Sequence, residues 1–343
     1  MRKEAIDRLS PGYRVASVRF GDPEEVEQDL YFPISPFMIF PEACPDFGIY
    51  LKKGKNYLLL TRQEEEFNSK HKRLLHENGI LEVYIHSSQK PGYDLYLEEN
   101  LARILSNDSI PMNVRANVLY SVLTGAMSDI FEKGKGLMDA VTIEKLTRIV
   151  RSSCEFFADR GTLKSLIPVL SRDYLVPTHS VHVFIYSAAV FSHYQASAEE
   201  RVQFGLGSIL HDIGKSVIQK MVLYKRGKLN TEERVLFKLH PQKGVGICSQ
   251  VPLSQTAINT ILFHHEKSDG SGYPSGLDTT CIPLHAKIAG IADTFDLLSS
   301  GRPHAEPISP SRSLAVIRND YTGCYDPEIL LLFEKTLMEA GMV

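Results

Sequence analysis

Nothing in this chain looks like an address or an anchor. Residues Met1 to Arg8 carry acids and lack the apolar core of a secretory signal, and no uninterrupted apolar run is long enough to span a bilayer. Cysteine is sparse: Cys44, Cys154, Cys248, Cys281 and Cys324 are scattered, with no Cys-x-x-Cys pair, which argues against a disulfide framework and against a zinc ribbon. Together these absences point to a soluble protein of the reducing cytoplasm. Charge of one sign is missing too. With 38 Lys and Arg against 41 Asp and Glu, the net charge of -3 gives no basic field for a nucleic-acid duplex, although a small anion in a local site stays open. Internal repeats and low-complexity tracts are absent, which excludes a solenoid and a disordered tail.

What is present suits two domains, since 343 residues are many for one core and 43% apolar content can fill both. Short β-branched or aromatic runs bounded by Gly, Pro and charged turns predict strands at Tyr13 to Phe20, Leu30 to Ile34, Phe47 to Leu51, Tyr57 to Leu60 and Leu81 to Ile85. A helix is expected over Gln63 to Asn78, where acids come first and Lys70, Lys72 and Arg73 come last, and another over Leu97 to Leu105. Residues 1–107 thus read as a small α/β unit with no Gly-rich phosphate loop, suited to regulation or dimerisation. Residues 108–140 read as a helical connector. Its stripe of Val114, Val118, Val122 and Met127 could pack within the chain or form a homodimer face. From 141 to 343 strand signals almost vanish and helices succeed one another, several with caps: Asn230 with Glu233 as a capping box, Ser309 before Pro310, Asp326 before Pro327. The fold class is α+β, an all-helical C-terminal domain behind a small α/β one.

The chemistry gathers around His211-Asp212-Ile213-Gly214-Lys215, at the end of an apolar helical run read as Ala198 to Ile213. On a continuous helix His211 and Lys215 share a face, and Asp212 is rotated by about 100° toward a neighbouring site. Imidazole and carboxylate without a thiolate suit Fe, Mn, Zn or Co. Further along come His240, the doublet His264-His265, the loop Asp269-Gly270-Ser271-Gly272-Tyr273-Pro274, and Asp293; His179 opens an earlier helix. His71, His76, His86, His182, His193, His285 and His304 read as surface or packing residues.

In their order and spacing these signatures resemble the HD-GYP branch of the HD phosphohydrolases over roughly 142–343. The resemblance implies metal ligation by His179, His211, Asp212, His240, His264, His265 and Asp293, too many groups for one centre. It therefore implies two divalent ions, Fe or Mn, bridged by Asp212, the arrangement that hydrolyses phosphoesters. By the same resemblance Lys215 touches the scissile phosphate, Gly272 and Gly276 permit sharp turns, Tyr273 reaches substrate or a partner protein, and Arg302 binds phosphate or guanine. The implied activity is hydrolysis of cyclic di-GMP, or a related cyclic dinucleotide, to pGpG or GMP. The alternative is a metal-loaded module that binds nucleotide or docks diguanylate cyclase domains. This chain departs from the pattern at four places. Leu175 stands where some members have a Glu for a third metal, His304-Ala305 follows Arg302-Pro303 without the usual base, Gln219 replaces a Pro, and Lys287 replaces an Arg.

Overall fold

The computed structural model describes residues 30–133, 138–170, 175–225, 227–301 and 306–343. The chain forms two compact units that divide between Pro111 and Met112. The strand expected at Tyr13 to Phe20 lies outside the described residues.

In the N-terminal unit, β1 (Tyr31–Ile34), β2 (Ile49–Lys53), β3 (Asn56–Thr61) and β4 (Val83–His86) form an antiparallel sheet in the order β1-β4-β2-β3. Gly54, at φ 64°, supplies the positive φ of the tight turn that pairs Lys53 with Asn56. Helices α1 (Ser69–Glu77), α2 (Lys90–Glu99) and α3 (Leu101–Leu105) complete the unit. Helix α1 begins six residues later than the acids suggested, because Asn68 caps it with its side chain accepting from Lys70 and His71, while Glu64 stands outside at φ 61°. The core joins Phe47, Phe67 and Ile85, all fully buried, to the rings of Tyr93 and Tyr96, which meet Phe47 edge-on.

The C-terminal unit is all-helical among the described residues: α4 (Met112–Lys133), α5 (Ala140–Phe156), α6 (Gly161–Leu166), α7 (Val176–Phe191), α8 (Ala198–Ile209), α9 (Lys220–Leu223), α10 (Thr231–Lys238), α11 (His240–Ile247), α12 (Gln255–Phe263), α13 (Leu284–Ser299), α14 (Pro310–Asp320) and α15 (Pro327–Glu339). Helices α7, α8, α12 and α13 pack on one another at the centre, and α4 lies along α7. The apolar stripe of α4 serves this packing, with Val118, Val122 and Met127 buried inside the unit. Helix α7 is apolar nearly all round and buried over thirteen of its sixteen residues, as a central helix must be. Phe295 and Phe333 meet edge-on and both meet Tyr186, so α13 and α15 are clamped to α7. No helix among the described residues is long and apolar enough to cross a membrane.

Candidate metal centre

The pair His211-Asp212 lies in a break between helices and not within one. Helix α8 stops at Ile209, Asp212 caps a 3-10 turn spanning Ile213–Val217, and Lys215 therefore sits three residues along on the face of Asp212. This corrects the helix expected through Ile213, with Lys215 stacked above His211. Apolar periodicity could not mark the end, because Leu210 and Ile213 are both core residues. The turn that follows is packed against α11: a Cβ on Gly214 would lie 1.9 Å from the carbonyl oxygen of His240, so only glycine lets α11 come this close. The break turns two adjacent side chains, His211 and Asp212, inward together, and both are wholly buried.

The other groups converge from four helices. His179 comes from the second turn of α7, His240 from the start of α11, His264 and His265 from the end of α12, and Asp293 from α13. Their ligand atoms fall into two sets, each within 4.8 Å: His179, His211 and Asp293 in one, Asp212, His240, His264 and His265 in the other. Asp212 faces both. Its Oδ2 lies 3.5 Å from His179 Nε2 and 3.4 Å from His211 Nε2, while its Oδ1 lies 3.2 Å from His240 Nε2 and 3.9 Å from His264 Nε2.

Four of the rings are oriented in one way. His211, His240 and His264 each donate Nδ1–H to the carbonyl three residues earlier, at 2.8, 2.8 and 2.9 Å, and His179 Nδ1 lies 2.7 Å from Asp296 Oδ2. Carbonyls and carboxylates only accept, so each Nδ1 carries a proton and each Nε2 faces the site, where a bound cation would take its lone pair. Burial, reinforced by neighbouring imidazoles, pushes His264 and His265 well below the ordinary histidine range; burial also lowers His240 despite the opposing pull of Asp212. The rings are held neutral, as ligands must be. Burial would raise the carboxyl of Asp212, but the Lys215 ammonium outweighs it and holds the group ionised; Asp293, met by His179 Nε2 at 3.0 Å, is held low as well.

Such a cluster fits divalent cations. His211 Nε2, Asp212 Oδ1 and His265 Nε2 are buried without a hydrogen-bond partner, a state polar atoms rarely hold unless something else satisfies them. Their donors are imidazole nitrogen and carboxylate oxygen, the set suited to borderline or harder ions. Leu175, 56% exposed at the cap of α7, offers no further ligand.

Around the cluster, Lys215 is buried with its ammonium hydrogen-bonded to Asp212 Oδ2 and its Nζ 5.4 Å from the Phe237 ring. Tyr273 lays its ring on His265, centroids 4.6 Å apart, with Lys238 Nζ 4.9 Å from the centroid of the Tyr273 ring. Burial and Asp293 push its hydroxyl far above the ordinary tyrosine range, so Tyr273 is a neutral donor. The loop that carries it hangs from Glu266, whose two carboxylate oxygens accept from Ser275 N at 2.7 Å and Leu277 N at 2.9 Å. Gly272 is needed for close approach, since a Cβ there would lie 2.4 Å from Lys267 N and 2.5 Å from Glu266 Cα. Arg302 lies outside the described residues. Lys287 pairs with Asp326, the cap of α15, at 2.9 Å.

Sequence reasoning missed two groups. Asp296 and His182 are buried and bonded to each other at 2.9 Å, and Asp296 also holds His179. The signal was available: each stands one helical turn beyond a member of the cluster, Asp296 after Asp293 and His182 after His179.

Comparison with known proteins agrees with this geometry. The HD domain family matches residues 164–329. A cyclic di-GMP phosphodiesterase of Thermotoga maritima is 31% identical over 239 residues, covering 67% of this chain and 65% of that protein. A cyclic di-GMP phosphodiesterase of Pseudomonas aeruginosa is 32% identical over 180 residues, 52% of this chain and 43% of that one. A 3'3'-cGAMP-specific phosphodiesterase of Vibrio cholerae is 31% identical over 159 residues, 46% of this chain and 35% of that one. The chain thus spans between about a third and two thirds of the length of these relatives. Among solved structures, an HDG"Y"P protein from Bdellovibrio bacteriovorus shares the fold, with a TM-score of 0.62, 19% identity, and coverage of 90% of this chain and 99% of that one. With the His-Asp cluster at its centre and the Gly-Tyr-Pro loop laid against it, the chain carries an HD domain and is similar to the HD-GYP proteins.

Proposed function

We propose that this protein is a metal-dependent phosphodiesterase that opens a cyclic dinucleotide, with cyclic di-GMP as substrate and pGpG or GMP as product. The observation that carries this reading is the two-sided carboxylate of Asp212, one oxygen toward each set of ligand atoms. It supports a pair of divalent ions, Fe or Mn, which His179, His211 and Asp293 would hold on one side of Asp212 and His240, His264 and His265 on the other. Ions held there would supply Lewis acidity toward the phosphodiester and its attacking water. Lys215 adds a fixed positive charge beside the bridge, placed to bind a non-bridging phosphate oxygen as charge builds in the transition state. Tyr273 offers a neutral hydroxyl donor and one wall of the site, and Glu266 holds its loop in place. Arg302 is assigned to phosphate or guanine by the family pattern. The N-terminal unit is assigned to regulation or dimerisation.

Relatives named for cyclic di-GMP and for 3'3'-cGAMP match at similar identity, so the second base is the open specificity. The deciding experiment incubates anaerobically iron- or manganese-loaded protein with each dinucleotide and separates the products by chromatography. Linear dinucleotide or mononucleotide from cyclic di-GMP is the expected result; metal-loaded protein that leaves both substrates intact would refute the enzyme reading. Docking of a diguanylate cyclase through Tyr273 is the competing role, and the ring's packing on His265 favours the site over an interface. Tyr273→Ala should lower hydrolysis at unchanged metal content, whereas a docking role would leave turnover alone and weaken cyclase binding.

A further inference from the structure

Behind the ligand His179 lies a line of buried polar groups that leads away from the site. His179 Nδ1 is 2.7 Å from Asp296 Oδ2, and His182 Nδ1 is 2.9 Å from Asp296 Oδ1. His182 Nε2 is 3.0 Å from the hydroxyl of Tyr120 on α4, whose ring stacks on the imidazole at 5.8 Å and 18°. Ser300 Oγ donates to Asp296 Oδ1 at 3.1 Å, so the carboxylate is met on both oxygens. Asp296, His179 and His182 are each almost wholly buried, leaving water no access to rearrange them.

Donor and acceptor rules fix the protons that face Asp296 in this line. An ionised carboxylate only accepts, so each imidazole facing it must present Nδ1–H. A neutral His182 with its proton on Nδ1 has a lone pair on Nε2, and the Tyr120 hydroxyl must then be the donor. His179 turns its Nε2 to the site, 3.0 Å from Asp293 Oδ1, where a bound cation would take its lone pair. Removing the proton from either Nδ1 would set its lone pair against Asp296 in a buried place, an arrangement that costs about 1–3 kcal/mol for each unsatisfied group.

We propose that Asp296, with His182 and Tyr120 behind it, is a positioning unit that locks the tautomer and ring angle of His179 and so sets metal affinity in the set of His179, His211 and Asp293. Resting as it does on the reading of His179 as a ligand, the assignment makes α4 part of the metal centre without touching it. The unit also explains why the carboxylate is not an Asn: an amide offers one acceptor and one donor group, so only one of the two imidazoles could keep its proton on Nδ1.

The test reads tautomers and metal separately, on the full-length protein labelled with 15N-histidine. In the wild type, stripped by chelator or loaded with zinc, His182 should show a protonated Nδ1 and an unprotonated Nε2, the minor form of free histidine. Asp296→Asn should shift His182 toward the Nε2–H form and weaken retention of one of the ions against graded chelator by about ten- to a hundredfold, with the other ion retained. Tyr120→Phe keeps the stacked ring and should move only the His182 Nε2 resonance. His182 found as Nε2–H in the wild type would overturn the proposal even if Asp296→Asn failed to fold, and so would an Asp296→Asn protein with wild-type metal retention. Absence of any metal binding in the wild type would instead refute the metal-centre reading, while the His182 tautomer still judges the Asp296 line.

Discussion

His179, His211, His240 and His264 each commit Nδ1 to an acceptor and turn Nε2 inward, so the centre is oriented by backbone carbonyls and one carboxylate before any ion arrives. Removing a ligand should then read out by set. Asp212→Ala should lower the occupancy of both ions, because each of its oxygens faces a different set, whereas His265→Ala should affect one more than the other; elemental analysis of both variants against wild type checks this. Lys215 makes a different prediction, since a protonated ammonium cannot coordinate. Lys215→Ala should keep both ions, which themselves compensate Asp212, and lose roughly a hundred- to a thousandfold in turnover. An unimpaired variant at equal metal content would remove Lys215 from the site. At this scale the resemblance to the HD-GYP family pointed to the seven His and Asp side chains that the fold brings together. Asp296 and His182 were not singled out because their partners, Tyr120 and each other, lie more than sixty residues away in sequence.

Elements were read best where the sequence itself carries the start signal. The Asn230-Glu233 capping box opens α10, Ser309 opens α14 and Asp326 opens α15, as the residues indicated. Helix α11 went unread. Its sequence, His240-Pro241-Gln242-Lys243-Gly244-Val245-Gly246-Ile247, has two glycines and weak helix propensity, and it holds its form by packing on the 3-10 turn of the His-Asp motif. That packing depends on one missing methyl. Gly214→Ala would drive a Cβ into the His240 carbonyl and the Gly244 nitrogen, so α11 must shift and carry His240 with it. The expected outcome is a protein that still folds around its aromatic core, with melting lowered by several degrees and reduced occupancy of the set containing His240. Calorimetry with elemental analysis on the same sample checks both.

Over the whole molecule, the site places ionised carboxylates and neutral imidazoles in the interior of the C-terminal unit. Both kinds of group make the metal-free protein acid-sensitive. The histidines His240, His264 and His265 are lowered in the folded state, so below about pH 6.5 the unfolded chain takes up protons that the fold refuses, and stability falls. Asp212 and Asp293 are lowered too, so the stability they contribute is present above about pH 4 and is lost as pH drops through their folded range. Chelator-stripped protein should therefore lose melting temperature in two stages between pH 8 and 3, the first beginning near 6.5. A flat profile down to pH 5 would contradict the buried, neutral histidines. Bound metal adds stability by mass action, about 2.7 kcal/mol at a hundredfold excess over its dissociation constant. The buried, partnerless His211 Nε2 and Asp212 Oδ1 thus tie the lifetime of the polypeptide to ion supply. When the ion is scarce, proteases should clear the unloaded chains, and metal starvation would be recorded as fewer molecules and not merely as idle ones.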